Sequence, residues 1–222
     1  MKSLLSRLLV ATALVMSAAG AAAGPYEDFF IAVRNDNASA VRALLQRGFD
    51  VNTRGPDGLP GLILALREPS PKVSQMLLDW PNVDIEARSA QDESPLMIAA
   101  LKGERDIAEK LIARDAAVNK TGWTPLHYAA TGGHLALIRL LLDNSAYIDA
   151  ESPNGSTPLM MAARYGAIDG ARLLLEEGAD PTIKNEQGLT AADFARAADR
   201  ASLVDDIDNA IRTAPATHGN AR

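Results

Sequence analysis

Few side chains in this sequence have types and spacings suited to acid–base, nucleophilic or metal chemistry. The 222 residues contain three histidines and no cysteine. Without cysteine there are no disulfides, thiolate zinc sites or cysteine nucleophiles. His127 and His134 lack the His-x3-His spacing with which one helix face binds zinc, and His218 stands alone near the carboxyl end.

The sequence motifs of several large enzyme classes are missing as well. The chain contains no Gly-x-Ser-x-Gly, P-loop, Rossmann glycine pattern or His-Glu-x-x-His. The acidic runs at 176–177 and 205–208 are most simply solvated faces, and no loop has the ligand spacing of a calcium site. We therefore predict that the protein is not an enzyme and has no catalytic residue, metal site or cofactor.

The elements that must position any binding site recur along the chain. A Thr-Pro-Leu tripeptide or a variant of it begins each unit, with anchor residues Gly61, Pro95, Pro125, Pro158 and Ala191. The steps between these anchors are 34, 30, 33 and 33 residues. A period of about 33 residues is typical of stacked-repeat proteins. A degenerate unit precedes the first anchor, which brings the total to about six.

Each unit has the pattern of a helix, a tight turn, a second helix and a loop. In the clearest unit, Thr124 is suited to cap the first helix and Pro125 to occupy its first turn. This helix should end near Gly133, or near Gly166 in the next unit, because glycine adopts positive φ without strain. The second helix has apolar residues at helical spacing. The loops have Asn-Gly or Asp-Gly turns typical of hairpins.

These features resemble the ankyrin repeat family. The family pattern Gly-x-Thr-Pro-Leu-His-x-Ala-Ala is matched most closely at 122–130, well at 155–163 and fairly at 94–100. The resemblance implies an all-α solenoid of stacked helix-turn-helix units with short hairpin-like loops. This domain would span residues 24–212, with degenerate end units, and would be followed by a flexible tail at 213–222.

The resemblance also implies where a partner would bind. Ankyrin repeats use their loops and the ends of their first helices, so the expected contact residues are Arg67, Arg88, Glu93, Lys102, Lys120, Thr121, Trp123, Thr131, Asn154, Ser156, Arg164 and Tyr165. Among these, Trp123 stands out because tryptophan, tyrosine and arginine dominate interface hot spots. The alternative for Trp123 is packing over its own loop. For His127, the resemblance implies a structural role, bonded to the threonine hydroxyl and to loop backbone.

Two departures from the repeat predict local irregularity, and the last unit predicts a capped closing helix. The 30-residue step before Pro125 should shorten the preceding loop. Pro69 and Pro71 interrupt the turn between the two helices of the second unit. At the carboxyl end, Ser202 is suited to cap a helix with a polar face that closes the stack.

Residues 1–23 have the layout of a secretory signal peptide. Lys2 and Arg7 form a positive start, Leu8–Ala19 is apolar, and 21–23 offers small residues at a cleavage position. The apolar run is shorter than the roughly 20 residues that span a bilayer, so a cleaved signal is favoured over a membrane anchor. We expect a periplasmic or secreted protein without stable membrane insertion after cleavage.

Charge narrows the class of partner. The chain has 22 basic and 28 acidic residues, a formal net charge of −6 and no local basic patch, so a nucleic-acid partner is not expected. We predict a monomeric, non-catalytic module that binds a protein partner through its concave groove and loops. One alternative is an inhibitor, immunity-type or enzyme-protecting accessory protein in the periplasm. A ligand-binding protein or enzyme with an unusual groove site is less favoured, and the fold alone does not select a role.

Overall fold

Six helix pairs follow one another along the described part of the chain. The structure, a computed structural model, describes residues 24–213, so the expected signal peptide and the expected tail beyond Thr213 lie outside the described residues. The first helices of the pairs are α1 Pro25–Arg34, α3 Gly61–Arg67, α5 Pro95–Lys102, α7 Pro125–Gly132, α9 Pro158–Arg164 and α11 Ala191–Arg196. The second helices are α2 Ala38–Gln46, α4 Pro71–Leu78, α6 Arg105–Ile112, α8 Leu135–Asp143, α10 Ile168–Glu176 and α12 Ala201–Thr213.

The pairs stack side by side into a solenoid with two helical layers. Each first helix packs against the next first helix, from α1 through α11, and each second helix packs against the next, from α2 through α12. Between residues 24 and 213 the backbone forms no strand, only an isolated bridge between Arg54 and Pro60 in one loop. The predicted all-α repeat solenoid is confirmed.

Four of the described first helices, α5, α7, α9 and α11, begin with a reciprocal cap, in which the side chain of the third helical residue accepts a hydrogen bond from the backbone N–H of the capping residue. Ser94, Thr157 and Thr190 each accept a hydrogen bond from the backbone N–H of the third helical residue. In return, the backbone N–H groups of Ser94 and Thr157 each donate to a methionine sulfur at 3.4 Å. The N–H of Thr190 donates to Asp193 Oδ2 at 2.9 Å, and the N–H of Thr124 donates to His127 Nδ1 at 3.2 Å. The backbone N–H groups of four capping residues are thus satisfied by sulfur, oxygen or nitrogen acceptors.

His127 also connects its unit to the next one. Since a backbone N–H donates to Nδ1, the ring proton lies on Nε2, which donates to the carbonyl oxygen of Ser156 at 2.9 Å. The ring is fully buried, and this burial lowers the pKa of His127 to about 4, although backbone acceptors oppose the shift. The structural role implied by the family resemblance is confirmed by these contacts.

Small residues allow neighbouring first helices to approach closely. The alanine pairs at 99–100, 129–130 and 162–163 are all completely buried between units. As predicted, Gly133 ends α7 in the left-handed region, with φ of 71°. The helix α9 also ends near Gly166, at Arg164, but the expected positive φ at Gly166 is wrong. There, a β-carbon would overlap the carbonyl oxygen of Ala130, so glycine is needed for close packing instead.

The junction between the second and third units departs from the repeat pattern. As expected from Pro69 and Pro71, α3 ends without a left-handed cap, and Glu68 has an extended conformation. An open cavity of about 330 Å³ follows, with Glu68 and Glu104 among its lining residues. At the other end of the stack, by contrast, Arg200 spans the corresponding junction and donates to the Gly166 carbonyl at 2.7 Å. The Glu104 carboxylate occupies the equivalent position and has no proton to donate.

The last helix begins earlier than the sequence indicated. We expected Ser202 to cap it, but α12 begins at Ala201 and Ser202 lies inside its exposed first turn. The predicted cap is therefore wrong. The acidic face of α12 is only partly free, because Asp206 pairs with Arg172 of the preceding unit at 2.7 Å.

Truncation of Leu141 tests the stacking. Leu141 is completely buried, so we expect Leu141→Ala to lower the free energy of unfolding by about 2–5 kcal/mol through lost burial and an unfilled cavity. Urea unfolding followed by circular dichroism measures the loss. Leu135→Ala is the matched control, because Leu135 lies on the same helix and is 39% exposed. Equal losses for the two variants would contradict the proposed packing.

The buried imidazole predicts a dependence of stability on pH. The folded-state pKa of about 4 lies below the ordinary value of 6.5, so below pH 6.5 the unfolded chain binds a proton that the folded chain does not. The stability due to neutral His127 is complete above pH 6.5 and is lost as the pH falls towards 4. Between pH 7.5 and pH 5 this loss should be about 2 kcal/mol.

A methionine substitution isolates this contribution. Met97 and Met160 already occupy the same position in neighbouring units, so His127→Met should fold without the titrating group. Urea unfolding at pH 7.5 and pH 5 gives, for each protein, the fall in the free energy of unfolding between the two pH values. This fall should be larger for the unsubstituted chain than for His127→Met. If the fall is equal in the two proteins, His127 does not titrate as its burial requires.

Candidate partner-binding surface

The first helices and the loops that precede them form one continuous face, here called the groove. Most of these loops keep a hairpin hydrogen bond, from Gly55 N to Leu59 O, Ser89 N to Glu93 O, Ser152 N to Ser156 O and Asn185 N to Leu189 O, at 2.9–3.0 Å. The loop at 113–124 has no such bond, and it is shorter than the loops of the other described units. The 30-residue step before Pro125 predicted this shortened loop, and the loop interrupts the series of hairpin-bonded loops.

Beneath this short loop the groove contains an apolar cleft of about 250 Å³. Its lining comes from three consecutive first helices and the loop, and consists of Leu101, Trp123, Tyr128, Thr131, Met161 and Tyr165. Residues three or four apart on a helix share a face, which explains why Tyr128 and Thr131 of α7 lie together, and why Met161 of α9 lies beside Tyr165 at the end of that helix. We call this site the aromatic cleft.

Trp123 contributes to both packing and the surface. Its ring meets the buried His127 ring edge to face, with centroids 5.2 Å apart and an interplanar angle of 77°. The side chain is half-buried against the core and also lines the aromatic cleft. From the sequence, Trp123 was interpreted either as a partner contact or as packing over its own loop. Its observed position allows both, because the ring that lines the cleft is also held by packing.

Tyr165 is the most exposed member of the cleft, at 62%. It follows the last residue of α9, where the helix ends. The guanidinium carbon of Arg164 lies 5.9 Å from its ring centroid, within the range of a cation–π contact. Arg164 also donates to the carbonyl oxygen of Ala197, which ties it to the next unit.

Glu93 organises the polar edge of the cleft. Its carboxylate accepts hydrogen bonds from Arg67, from Ser89 Oγ at 3.0 Å and from Tyr128 Oη at 3.3 Å. Burial, with a further contribution from the Glu93 charge, raises the pKa of Tyr128 to about 12. Tyr128 therefore remains a neutral phenol that donates to Glu93 throughout the physiological range.

The expected basic residues on the loops are paired with acids. Lys120 Nζ lies 2.5 Å from Asp92 Oδ2, and this hydrogen bond lowers the pKa of Asp92. Arg88 bonds Glu86 at 2.6 Å. These pairs orient the loops and leave the groove without a concentrated positive patch, although such exposed pairs contribute little stability.

The remaining predicted contact residues differ in how accessible they are. Thr121 and Asn154 are exposed on the loops, and Lys102 is exposed but donates to the carbonyl oxygen of Arg67. The Thr131 hydroxyl donates to the His127 carbonyl at 2.8 Å. Ser156 was wrongly chosen as a contact residue. It is completely buried, and its backbone carbonyl accepts the bond from His127.

Sequence reasoning missed Leu101, Tyr128 and Met161 as members of the cleft. Tyr128 could have been found, because it follows His127 and shares a face with the chosen Thr131. Leu101 and Met161 belong to other units, and only the stacking brings them together.

Two further observations on the described residues concern metal binding and membrane crossing. Residues 24–213 hold no cluster of three or more His, Asp or Glu side chains placed to bind a metal ion. Within the same range, no helix is both long and apolar enough to cross a bilayer.

Comparison with curated proteins finds relatives in which the matching part is small. The chain is 30% identical to Neurogenic locus notch homolog protein 1 of Xenopus laevis over 55% of its own length and 5% of that protein. It is 31% identical to Delta-latroinsectotoxin-Lt1a of Latrodectus tredecimguttatus over 31% of the chain and 6% of the toxin. A glycerophosphocholine phosphodiesterase of Candida albicans is 31% identical over 42% of the chain and 9% of that enzyme. The chain thus spans less than a tenth of each of these relatives.

Structural comparison and family comparison agree on the fold. The crystal structure of an ankyrin repeat domain from Acinetobacter baumannii superposes with a TM-score of 0.69 and 24% identity, over 82% of this chain and 96% of that one. A family model described as ankyrin repeats, in three copies, matches residues 29–121 and 96–185. These overlapping matches cover most of the helix pairs described above, and the chain therefore belongs to the ankyrin repeat family.

Proposed function

We propose that this protein is a non-catalytic module that binds a protein partner through the groove and its loops. Ankyrin repeats generally mediate protein–protein interaction. The observation that carries the proposal for this chain is the aromatic cleft, where Trp123, Tyr128 and Tyr165 meet beneath the shortened loop. Half-exposed aromatic side chains on a rigid frame are the usual anchors of protein interfaces.

The stack supplies the rigidity that such binding needs. Trp123 is fixed by the His127 ring, and His127 is in turn bonded to both its own unit and the next. A surface that is already ordered loses little side-chain entropy when a partner binds. A cleft of about 250 Å³ has room for one large side chain of a partner, with the adjacent loops providing polar contacts.

The relatives do not narrow this role, because they include a neurogenic locus notch homolog protein, a toxin and a phosphodiesterase. In each, the matching segment is a small fraction of a longer chain, and the fold hosts many functions. An inhibitory or enzyme-protecting role is a special case of the binding proposed here. Identifying the partner would decide it.

Removal of the two central rings tests the binding. A partner is first isolated by affinity capture with the mature chain and identified by mass spectrometry. In titrations with the purified partner, Trp123→Ala and Tyr165→Ala combined should weaken binding by at least about 30-fold, as loss of a hot spot does. Far-ultraviolet circular dichroism should show that the variant remains folded.

Tyr147→Ala is the matched control for this experiment. Tyr147 is 70% exposed on a groove loop and lies outside the aromatic cleft, so its removal should weaken binding much less than removal of the two cleft rings. Unchanged binding by the double variant would remove the cleft from the interface. Equal losses for the control and the double variant would indicate a contact surface on the outer side of the loops.

The protein is proposed to act outside the cytoplasm. The charged start, apolar run and small residues of 1–23 support export. When the full chain is expressed in a bacterium, the exported protein should begin at about Gly24, as intact-mass measurement and amino-terminal sequencing would show. Replacing Ala21 and Ala23 with bulky residues should cause the precursor to accumulate. A protein that keeps Met1 and remains in the cytoplasm would contradict the proposed export.

A further inference from the structure

The aromatic cleft has a composition that suits a positively charged guest. Three of its six lining side chains, Trp123, Tyr128 and Tyr165, are aromatic. The faces of such rings have negative electrostatic potential and attract ammonium and guanidinium groups. A site for a purely aliphatic side chain would not need so many rings.

One cation already contacts this set of rings. The Arg164 guanidinium lies over Tyr165 at 5.9 Å, which shows that the ring is accessible to a positive group. Because Arg164 is tied to Ala197 at the end of α11, it lies towards the last unit. The rest of the cleft extends the other way, across α7 to Leu101 on α5. Tyr165 remains 62% exposed, so most of its surface is free for a guest.

The polar edge of the cleft strengthens the same preference. Tyr128 donates its hydroxyl proton to Glu93 at 3.3 Å, and donation to a carboxylate makes a phenol ring richer in electrons. The pKa of Tyr128 is raised to about 12, so this donation persists at neutral and mildly alkaline pH. The chain as a whole has a formal net charge of −6, which favours the approach of a basic partner.

The apolar part of the lining fits the stem of a basic side chain. Leu101 and Met161 lie on the helices that flank α7. Arginine and lysine bury their methylene groups against such surfaces while the charged head stays near water or aromatic rings. The cleft thus combines an aliphatic wall with an aromatic end, within about 250 Å³.

We propose that the aromatic cleft binds an arginine or lysine side chain of the protein partner, with the methylene stem against Leu101 and Met161 and the positive head against the rings of Trp123, Tyr128 and Tyr165. This inference rests on the proposed protein-binding function and specifies the chemistry of the bound residue. The guest is held by cation–π attraction and burial of its stem, and no bond is made or broken.

Matched peptides test the charge requirement. The probes are acetyl-Gly-Arg-Gly-amide, the same peptide with citrulline, which has nearly the same shape without the charge, and the same peptide with norleucine. Each is titrated into the mature chain labelled with ¹⁵N, and the indole N–H signal of Trp123 is followed by NMR. Trp80, the other tryptophan, lies outside the cleft and serves as an internal reference.

We expect the arginine peptide to shift the Trp123 signal saturably and to bind about fivefold or more tightly than the citrulline peptide. Added salt should reduce this preference. Tyr165→Leu keeps an apolar side chain but removes a ring, and should reduce the preference for arginine more than it reduces binding of norleucine.

Other outcomes would overturn the inference. Equal or tighter binding of the citrulline or norleucine peptide would make the cleft an apolar pocket, and so would an unchanged preference in Tyr165→Leu. A Trp123 signal that does not move at the highest soluble concentration of any peptide would show that the cleft does not bind single side chains. In each case, partner loss by the combined Trp123→Ala and Tyr165→Ala variant would still support the proposed function, so the two failures are distinguishable.

Discussion

The close contact between neighbouring first helices is the interaction on which the rest of the structure depends. No helix pair has enough apolar surface to be stable by itself, so each relies on the next. Buried alanines at 129–130 and the missing side chain at Gly166 bring the backbones of successive units together. This spacing places residues from α5, α7 and α9 within one cleft, and the candidate site is therefore a property of the stack.

At the caps of the first helices, different side chains meet the same need for a hydrogen-bond acceptor. The third helical residue must offer an acceptor to the capping N–H group, and Met97, His127, Met160 and Asp193 offer sulfur, nitrogen or oxygen. Only the imidazole has a second nitrogen, which reaches the following unit through Ser156. The unit with the histidine is also the one with the short loop, so the extra bond fixes the stack where the loop contributes no hairpin.

Much of the architecture could be predicted because local rules determine it. The repeat period, the Thr-Pro starts and the glycine at Gly133 follow from backbone geometry that a few residues impose. The errors arose where contacts between units decide. Gly166 is required by the neighbouring carbonyl of Ala130, and Ser156 is covered by the stack. The error at Ser202 is smaller, because the helix begins one residue before it.

The candidate site was predicted only in part, for the same reason. Trp123 and Tyr165 were identifiable as large aromatic side chains at loop and helix-end positions. Their convergence with Leu101 and Met161 depends on the rotation between successive units, which a single sequence does not encode in any short motif. Residue type indicates which side chains can bind, whereas the stack determines which of them act together.

The cavity behind Pro69 and Pro71 has a mechanical consequence. The curvature of a solenoid is the sum of small rotations between successive repeats, and a gap lined by Glu68 and Glu104 resists bending less than a dry alanine contact does. Bending at this junction should therefore cost less than bending at the alanine-packed junctions between the third, fourth and fifth units. Such bending would let the amino-terminal end of the groove follow partners of different thickness, while the aromatic cleft, which lies among the alanine-packed units, keeps its shape.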